Sequence, residues 1–350
     1  MRQLVTIQKI HSITPIVGRD RVEVAKVLGW DVIIGKDSFK DNDLVCFAEI
    51  DSVFPKDGNW EELSKFKYRI KTFKVNSPSG PIYGQGYVFS LEKYKEILGP
   101  LAQVFEEGFE ITDLLGVEKY ESPVEYGIGD TKGSFPSLYI GKTDEPRVQS
   151  KLSVLEELKD QPYFMTMKMD GTSSTFLIAP NTDEFLVCSR SMIKKGPEES
   201  NVPCLYWKVA IDYDIETVLR KFPQYAIQGE ICGSKIQGNK LKIDGQKLYI
   251  FNIFDLEKKC YLGYLEFIAV LSDMKEISNK IESVPILRVG DNFNYNKKDL
   301  IDFSESLVYD SGFPCEGIVI RSQVEQYSQV LRDRMSFKVI NPIFLTNGGD

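Results

Sequence analysis

The chain has 350 residues, 42% hydrophobic and 27% charged, with 43 Lys and Arg against 51 Asp and Glu for a formal net charge of −8. That length accommodates two hydrophobic cores, and no stretch is apolar enough to span a bilayer. The acidic balance disfavours a protein that coats nucleic acid, since counterion release rewards clustered basic residues, and a single histidine, His11, disfavours Ser-His, Cys-His and multi-histidine metal chemistry.

The first stretch, MRQLVTIQKIHSITPIVG, lacks the apolar core and cleavage site of a signal peptide, so a cytoplasmic location is expected. Residues 4–54 then carry short β-like runs, LVTIQKI, VEVAKVL, WDVIIG, LVCFAEI and SVF, separated by turn signals at Gly18, Gly35 and Lys40-Asp-Asn-Asp43. Together with Tyr83-Gly-Gln-Gly-Tyr-Val-Phe89 they predict a small closed β-barrel of the oligonucleotide/oligosaccharide-binding (OB) type. Within it, Lys65-Phe-Lys-Tyr-Arg-Ile-Lys71 alternates basic and apolar residues. As a strand, this segment would put Lys65, Lys67, Arg69 and Lys71 on one face, either to bind phosphate or to be solvated.

Residues 91–116 read as helical and acidic, and residues 117–135, rich in Gly, Pro, Ser and acidic residues, as a linker. The expected division is therefore 1–116 for the OB-fold domain with a helical extension, 117–135 for the linker and 136–350 for a second domain. That second domain carries strand-length runs YFMTMKM, STFLI, EFLVCS, YAIQGEI, KLYIFNIF, GIVIRS and MSFKVI, with helices over 215–222 and 264–278. An α+β domain of antiparallel sheets with flanking helices fits this order, because strict strand-helix alternation and a glycine fingerprint are missing. The six cysteines, Cys46, Cys188, Cys204, Cys232, Cys260 and Cys315, form no C-x-x-C pair and read as reduced residues.

The tetrapeptide Lys-x-Asp-Gly occurs twice, at Lys168-Met-Asp170-Gly171 and at Lys242-Ile-Asp-Gly245. Alone it carries little weight, so context must choose. Lys168 ends an apolar strand-like run, whereas Lys242 lies in a polar stretch that reads as a hairpin loop. After Lys168 come Cys188-Ser-Arg-Ser191, Gln228-Gly-Glu-Ile-Cys-Gly233, Phe251-Asn-Ile-Phe-Asp255, Cys315-Glu-Gly-Ile-Val-Ile320 and Ser336-Phe-Lys-Val-Ile340, each with a polar or aromatic residue at the edge of an apolar run.

In this ordered series the chain resembles the covalent nucleotidyltransferases, which include ATP-dependent DNA and RNA ligases and mRNA capping enzymes. The preceding Gly141-Lys-Thr-Asp-Glu-Pro-Arg-Val-Gln149 is similar to the segment that approaches the nucleophile in RNA ligases. With a barrel in front of the motifs and only residues 339–350 after them, the chain is most similar to ATP-dependent RNA ligases of the Naegleria and Deinococcus type. The resemblance implies an ATP-grasp-like adenylyltransferase domain and a reaction through lysyl-AMP that joins 3′-hydroxyl and 5′-phosphate RNA ends, possible nicked duplexes included.

Residue roles follow by the same resemblance. Lys168 is the nucleophile, its pKa lowered from about 10.4 by a bound metal and by Lys338. Asp170, Glu230 and Glu316 surround a hydrated Mg²⁺ or Mn²⁺, with Glu230 alternatively on a ribose hydroxyl. Gly171 completes the first motif and belongs to the nucleotide site, Phe254 stacks on adenine, Arg190 meets the ribose or an RNA phosphate, and Lys338 meets the α-phosphate. Lys142 and Arg147 are weaker candidates for purine or triphosphate, and Lys65, Lys67, Arg69 and Lys71 for RNA or pyrophosphate. One departure is that the final motif, Lys-x-Lys in many RNA ligases, is Lys338-Val-Ile340 here, so the second lysine's role is absent or moves to a residue such as Arg332 or Arg334. A DNA ligase, a capping-type transferase and a non-catalytic OB nucleic-acid-binding protein are the alternatives, and a monomer without membrane attachment is expected.

Overall fold

The computed structural model describes residues 3–120 and 129–348. The chain divides into two compact units, Met1–Glu121 with Val148–Leu152 and Leu345–Asp350, and Ser122–Arg147 with Ser153–Phe344. Among the described residues, no helix is long and apolar enough to cross a membrane.

The first unit is built on β1 (Val5–Ile16), β2 (Arg19–Val27), β3 (Trp30–Gly35), β4 (Leu44–Ala48) and β5 (Tyr87–Ser90). They form an antiparallel sheet in the order β3-β2-β1-β4-β5. The long β1 pairs with β4 through its first half, Val5↔Ala48 to Lys9↔Leu44, and with β2 through its second, with an irregularity between Ile10 and Ser12. Such a break lets one strand serve two directions and curls the sheet. Trp30, Phe47, Phe54 and Trp60 are fully buried in its hydrophobic core.

Two expectations for this unit are corrected. Residues 65–71 are not a strand: a 3-10 segment, Gly58–Phe66, runs into them, and Lys67 and Tyr68 take left-handed φ of 55° and 61°. Two consecutive left-handed residues reverse the chain and destroy period-two alternation. Arg69 therefore turns inward, 5% exposed, onto Asp51 at 3.0 Å and the Tyr120 ring at 3.3 Å, while Lys65, Lys67 and Lys71 remain exposed. The helical extension is also shorter than residues 91–116. It comprises α1 (Leu91–Leu98), capped by the Ser90 side chain, and 3-10 turns at Gly99–Leu101 and Asp113–Leu115, because Gly99-Pro100 ends the helix.

Of the expected linker, residues 121–128 lie outside the described ones. On its two sides the chain is paired: Glu118–Lys119 with Ser52–Val53, and Thr131–Ser134 with Met192–Lys194.

The second unit contains β6 (Thr131–Ser134), β7 (Tyr163–Lys168), β8 (Thr172–Ile178), β9 (Phe185–Ser189), β10 (Met192–Lys194), β11 (Tyr225–Gly233), β12 (Gln246–Asp255), β13 (Cys260–Tyr261), β14 (Ile286–Gly290), β15 (Gly317–Ser322) and β16 (Ser336–Ile340). They form a seven-stranded antiparallel sheet, β6-β10-β9-β8-β11-β12-β13, and a four-stranded one, β14-β7-β15-β16. Helices α2 (Leu205–Asp212), α3 (Ile215–Lys221) and α4 (Tyr264–Lys275) bury Val209, Val218, Leu219, Leu271 and Met274 against Phe176, Val187, Ile227 and Ile250 of the large sheet. A separate cluster of Phe135, Leu177, Leu186, Ala226 and Phe254 lies outside that helix-packed core.

Candidate active site

The Lys168 motif lies at a crossover. β7 belongs to the four-stranded sheet and β8 to the seven-stranded one, so Met169-Asp170-Gly171 carries the chain from one to the other in three residues. A Cβ on Gly171 would lie 2.4 Å from the Ile231 carbonyl oxygen and 2.8 Å from Cys232 Sγ, so only glycine fits this passage. Opposite Lys168 on β15 is Gly317, with φ +149°, where a Cβ would meet the Val339 carbonyl oxygen at 2.1 Å.

Charged groups from both sheets meet here. Lys168 Nζ donates to Glu316 Oε2 at 2.6 Å, and Lys240 Nζ donates to Asp170 Oδ2 at 2.9 Å. Glu230, on β11 opposite Ser173, completes the carboxylate group. Burial, Glu316 and Asp170 push the Glu230 carboxyl up to about 8 against the opposing pull of Lys168. Burial and Glu316 push Asp170 up to about 7, opposed by Lys240 and Lys168.

The chain's own groups act on Lys168 in the direction opposite to the depression expected from a bound metal. Burial favours the neutral amine, but the charges of Glu316, Glu230 and Asp170 and the hydrogen bond to Glu316 outweigh it and hold the ammonium above its ordinary range. Lys338 does not face the nucleophile as a bare cation; its Nζ donates to Asp144 Oδ1 at 3.2 Å, and Arg190 Nη2 stands 3.1 Å from Asp144 Oδ2.

The segment carrying Asp144 is pinned along its length. Gln228 Nε2 donates to the Gly141 carbonyl at 3.0 Å, Thr143 Oγ1 lies 3.3 Å from Ser173 Oγ, and Arg321 donates to Glu145 at 3.0 Å. The Lys338 amide donates to the Pro146 carbonyl at 2.9 Å, which brings Arg147, 6% exposed, beside the final strand. Lys142 is exposed, its Nζ 6.0 Å from the Phe135 ring.

Phe254 is 8% exposed, in edge contact with Tyr261 at 5.0 Å, so its packing role is evident and little of the ring is open to a base. Arg334 is committed to Glu325 at 2.7 Å and Asn252 at 3.0 Å, with its guanidinium 4.0 Å from the Tyr261 ring centroid. Lys242 is an exposed turn residue with φ 55°.

Sequence reasoning passed over three residues of the site. Lys240 comes from the same loop as Lys242, whose own motif drew attention away from it. Tyr309, 4% exposed, donates through its hydroxyl to the Lys168 carbonyl at 2.9 Å and accepts from the Glu316 amide at 3.0 Å, tying the two motifs together. Asp144 was visible in Lys-Thr-Asp-Glu but had no partner until the fold supplied one.

The carboxylates are hard oxygen donors, and Glu230 and Asp170 are raised towards neutrality by burial and by the charge of Glu316, a donor chemistry that suits a divalent cation. Among the described residues, however, no three His, Cys, Asp or Glu side chains form a ready coordination group.

The RNA ligase family model matches residues 161–340, and an OB-fold domain model matches residues 4–78. The chain belongs to the RNA ligase family. Solved structures of Naegleria gruberi RNA ligase resemble it over nearly its whole length. A lysine-to-alanine variant with ATP and Mn has 29% identity and a TM-score of 0.85, over 100% of this chain and 98% of that one. A glutamate-to-alanine variant with AMP and Mn has 28% identity and a TM-score of 0.84 over 98% of each chain. The enzyme with PPi has 28% identity and a TM-score of 0.84, over 99% and 98%. No curated protein matches the chain.

Proposed function

We propose that the protein is an ATP-dependent RNA ligase working through Lys168. The Lys168 amine attacks the α-phosphorus of ATP, the bond to the bridging oxygen breaks, pyrophosphate leaves and lysyl-AMP remains. AMP then passes to an RNA 5′-phosphate, releasing the amine, and a 3′-hydroxyl attacks that phosphate and expels AMP to seal the strand. The observation that carries this reading is the grouping of Lys168 with Glu316, Asp170 and Glu230, together with the meeting of Arg190 and Lys338 at Asp144. The Naegleria structures add support, since ATP, AMP and PPi are the substrate and the two fragments of the first step.

The chain's own residues divide the work. Lys168 must shed a proton before it attacks, and Glu316, already hydrogen-bonded to it, is within reach to accept one. A divalent ion, Mg²⁺ or Mn²⁺, held by Asp170, Glu230 and Glu316 would supply the countercharge that Lys168 supplies in its absence and would polarise phosphate oxygens. Arg190 and Lys338 bind phosphate, Lys142 and Arg147 flank the nucleotide, and the part of Phe254 left open meets adenine. The reading places these steps in residues 136–350 of a cytoplasmic monomer acting on RNA ends or nicks, with Lys65, Lys67 and Lys71 as RNA contacts.

The test is incubation with α-labelled ATP and a divalent metal. A protein-AMP adduct stable to alkali and labile to acid is expected, abolished by Lys168→Ala and preserved by Lys242→Ala. Label persisting in Lys168→Ala, or arising equally from GTP, overturns the reading.

A further inference from the structure

Arg190 and Lys338 come from different sheets, the first just after β9 and the second on β16, yet both end on one acidic side chain. Arg190 Nη2 is 3.1 Å from Oδ2 of Asp144 and Lys338 Nζ is 3.2 Å from Oδ1. Asp144 is exposed, but the segment that carries it is held in place. Its neighbours Thr143, Glu145 and Pro146 are each hydrogen-bonded to the sheets, through Ser173, Arg321 and the Lys338 amide. The two oxygens of a carboxylate present nearly the spacing of two non-bridging oxygens of a phosphate, and a guanidinium or ammonium meets either group in the same way.

We propose that Asp144 is a resident anion in the phosphate seat. Its carboxylate spans Arg190 and Lys338 and keeps both aimed at one point, and a nucleotide phosphate would take its place. Asp144 is thus a positioning residue that acts through two cations, and it also opposes the ligand it prepares for, because every phosphate must displace a like charge. The inference rests on the assignment of Arg190 and Lys338 to phosphate made above, and it adds that they share one phosphate group.

Calorimetric titration of the full-length protein with ATP and with adenosine, in EDTA so that no adenylate forms, tests this. Asp144→Asn is expected to bind ATP roughly fivefold tighter with adenosine affinity unchanged, the mark of a charge effect confined to phosphate. Asp144→Glu, which keeps the charge, is expected to stay within about twofold of the parent protein. Arg190→Ala and Lys338→Ala are expected to weaken ATP binding, and the gain from Asp144→Asn to shrink in the Arg190→Ala background, as coupled residues require. Unchanged, weaker or unmeasurable ATP binding in Asp144→Asn overturns the inference, as does an equal shift for adenosine, which would mark a merely structural role. If neither Arg190→Ala nor Lys338→Ala weakens ATP binding, the phosphate assignment itself falls. Thermal melts of each variant confirm that the fold is intact.

Discussion

Glu230 shows how the site's charges act on stability. Its carboxyl is raised to about 8 by burial and by Glu316 and Asp170, whereas a carboxyl in the unfolded chain titrates near 4.3. In the folded protein the proton is therefore held more tightly, and the stability it contributes is complete below about pH 4 and is lost as pH rises through about 8. Glu230→Gln removes the charged form altogether. In EDTA the variant is expected to match the parent near pH 4 and to exceed it at pH 9 by on the order of several kcal/mol, read by urea melts at both values. Equal stability at pH 9, or a loss there, would contradict the picture of crowded carboxylates. Lys240 moderates that crowding at Asp170, and its importance could not be read from the chain, because nothing in Lys240-Leu-Lys242 tells which lysine points inward.

Between elements, the site is a matter of strand ends. β7 and β15 pair so that Lys168 lies opposite Gly317, and the Tyr309 hydroxyl joins the Lys168 carbonyl to the Glu316 amide. Tyr309→Phe keeps the ring and strands both backbone groups. It is expected to cost about 1–3 kcal/mol in urea melts and to slow single-turnover adenylylation while leaving ATP affinity nearly unchanged. An unaltered rate would show that the two motifs hold their places without the hydroxyl. Element patterns in the second unit were largely legible, since helices at Ile215–Lys221 and Tyr264–Lys275 and each apolar run formed the expected kind of structure. Residues 65–71 failed for a specific reason. Alternation of basic and apolar types signals a strand only where the backbone is extended, and Lys67 and Tyr68 are left-handed. The buried bond from Arg69 to Asp51 is a long-range choice invisible to a local pattern.

At the scale of the whole molecule, an acidic chain of net charge −8 must bind an acidic polymer through local surfaces. The first unit carries Lys65, Lys67 and Lys71 exposed beside the half-exposed Phe66. The combined Lys65→Ala, Lys67→Ala and Lys71→Ala variant is expected to reduce RNA affinity and to lower the slope of log affinity against log salt by about 2. Adenylylation by ATP alone is expected to remain near the parent rate. A parallel fall in adenylylation would assign these lysines to pyrophosphate and sink the RNA reading.

The chain order of motifs from Lys168 to Lys338 identified the nucleotidyltransferase resemblance, and with it the candidate nucleophile, because short motifs keep their order and their residue types whatever the loops between them do. Partnership was another matter. Whether Lys168 meets cations or carboxylates, whether Arg190 and Lys338 share Asp144, and which lysine of the 237–245 loop reaches Asp170 depend on contacts across more than forty residues of chain. Only the convergence of two sheets at Met169-Asp170-Gly171 decides them, since pairing between distant side chains is set by packing and register and leaves no local pattern to read.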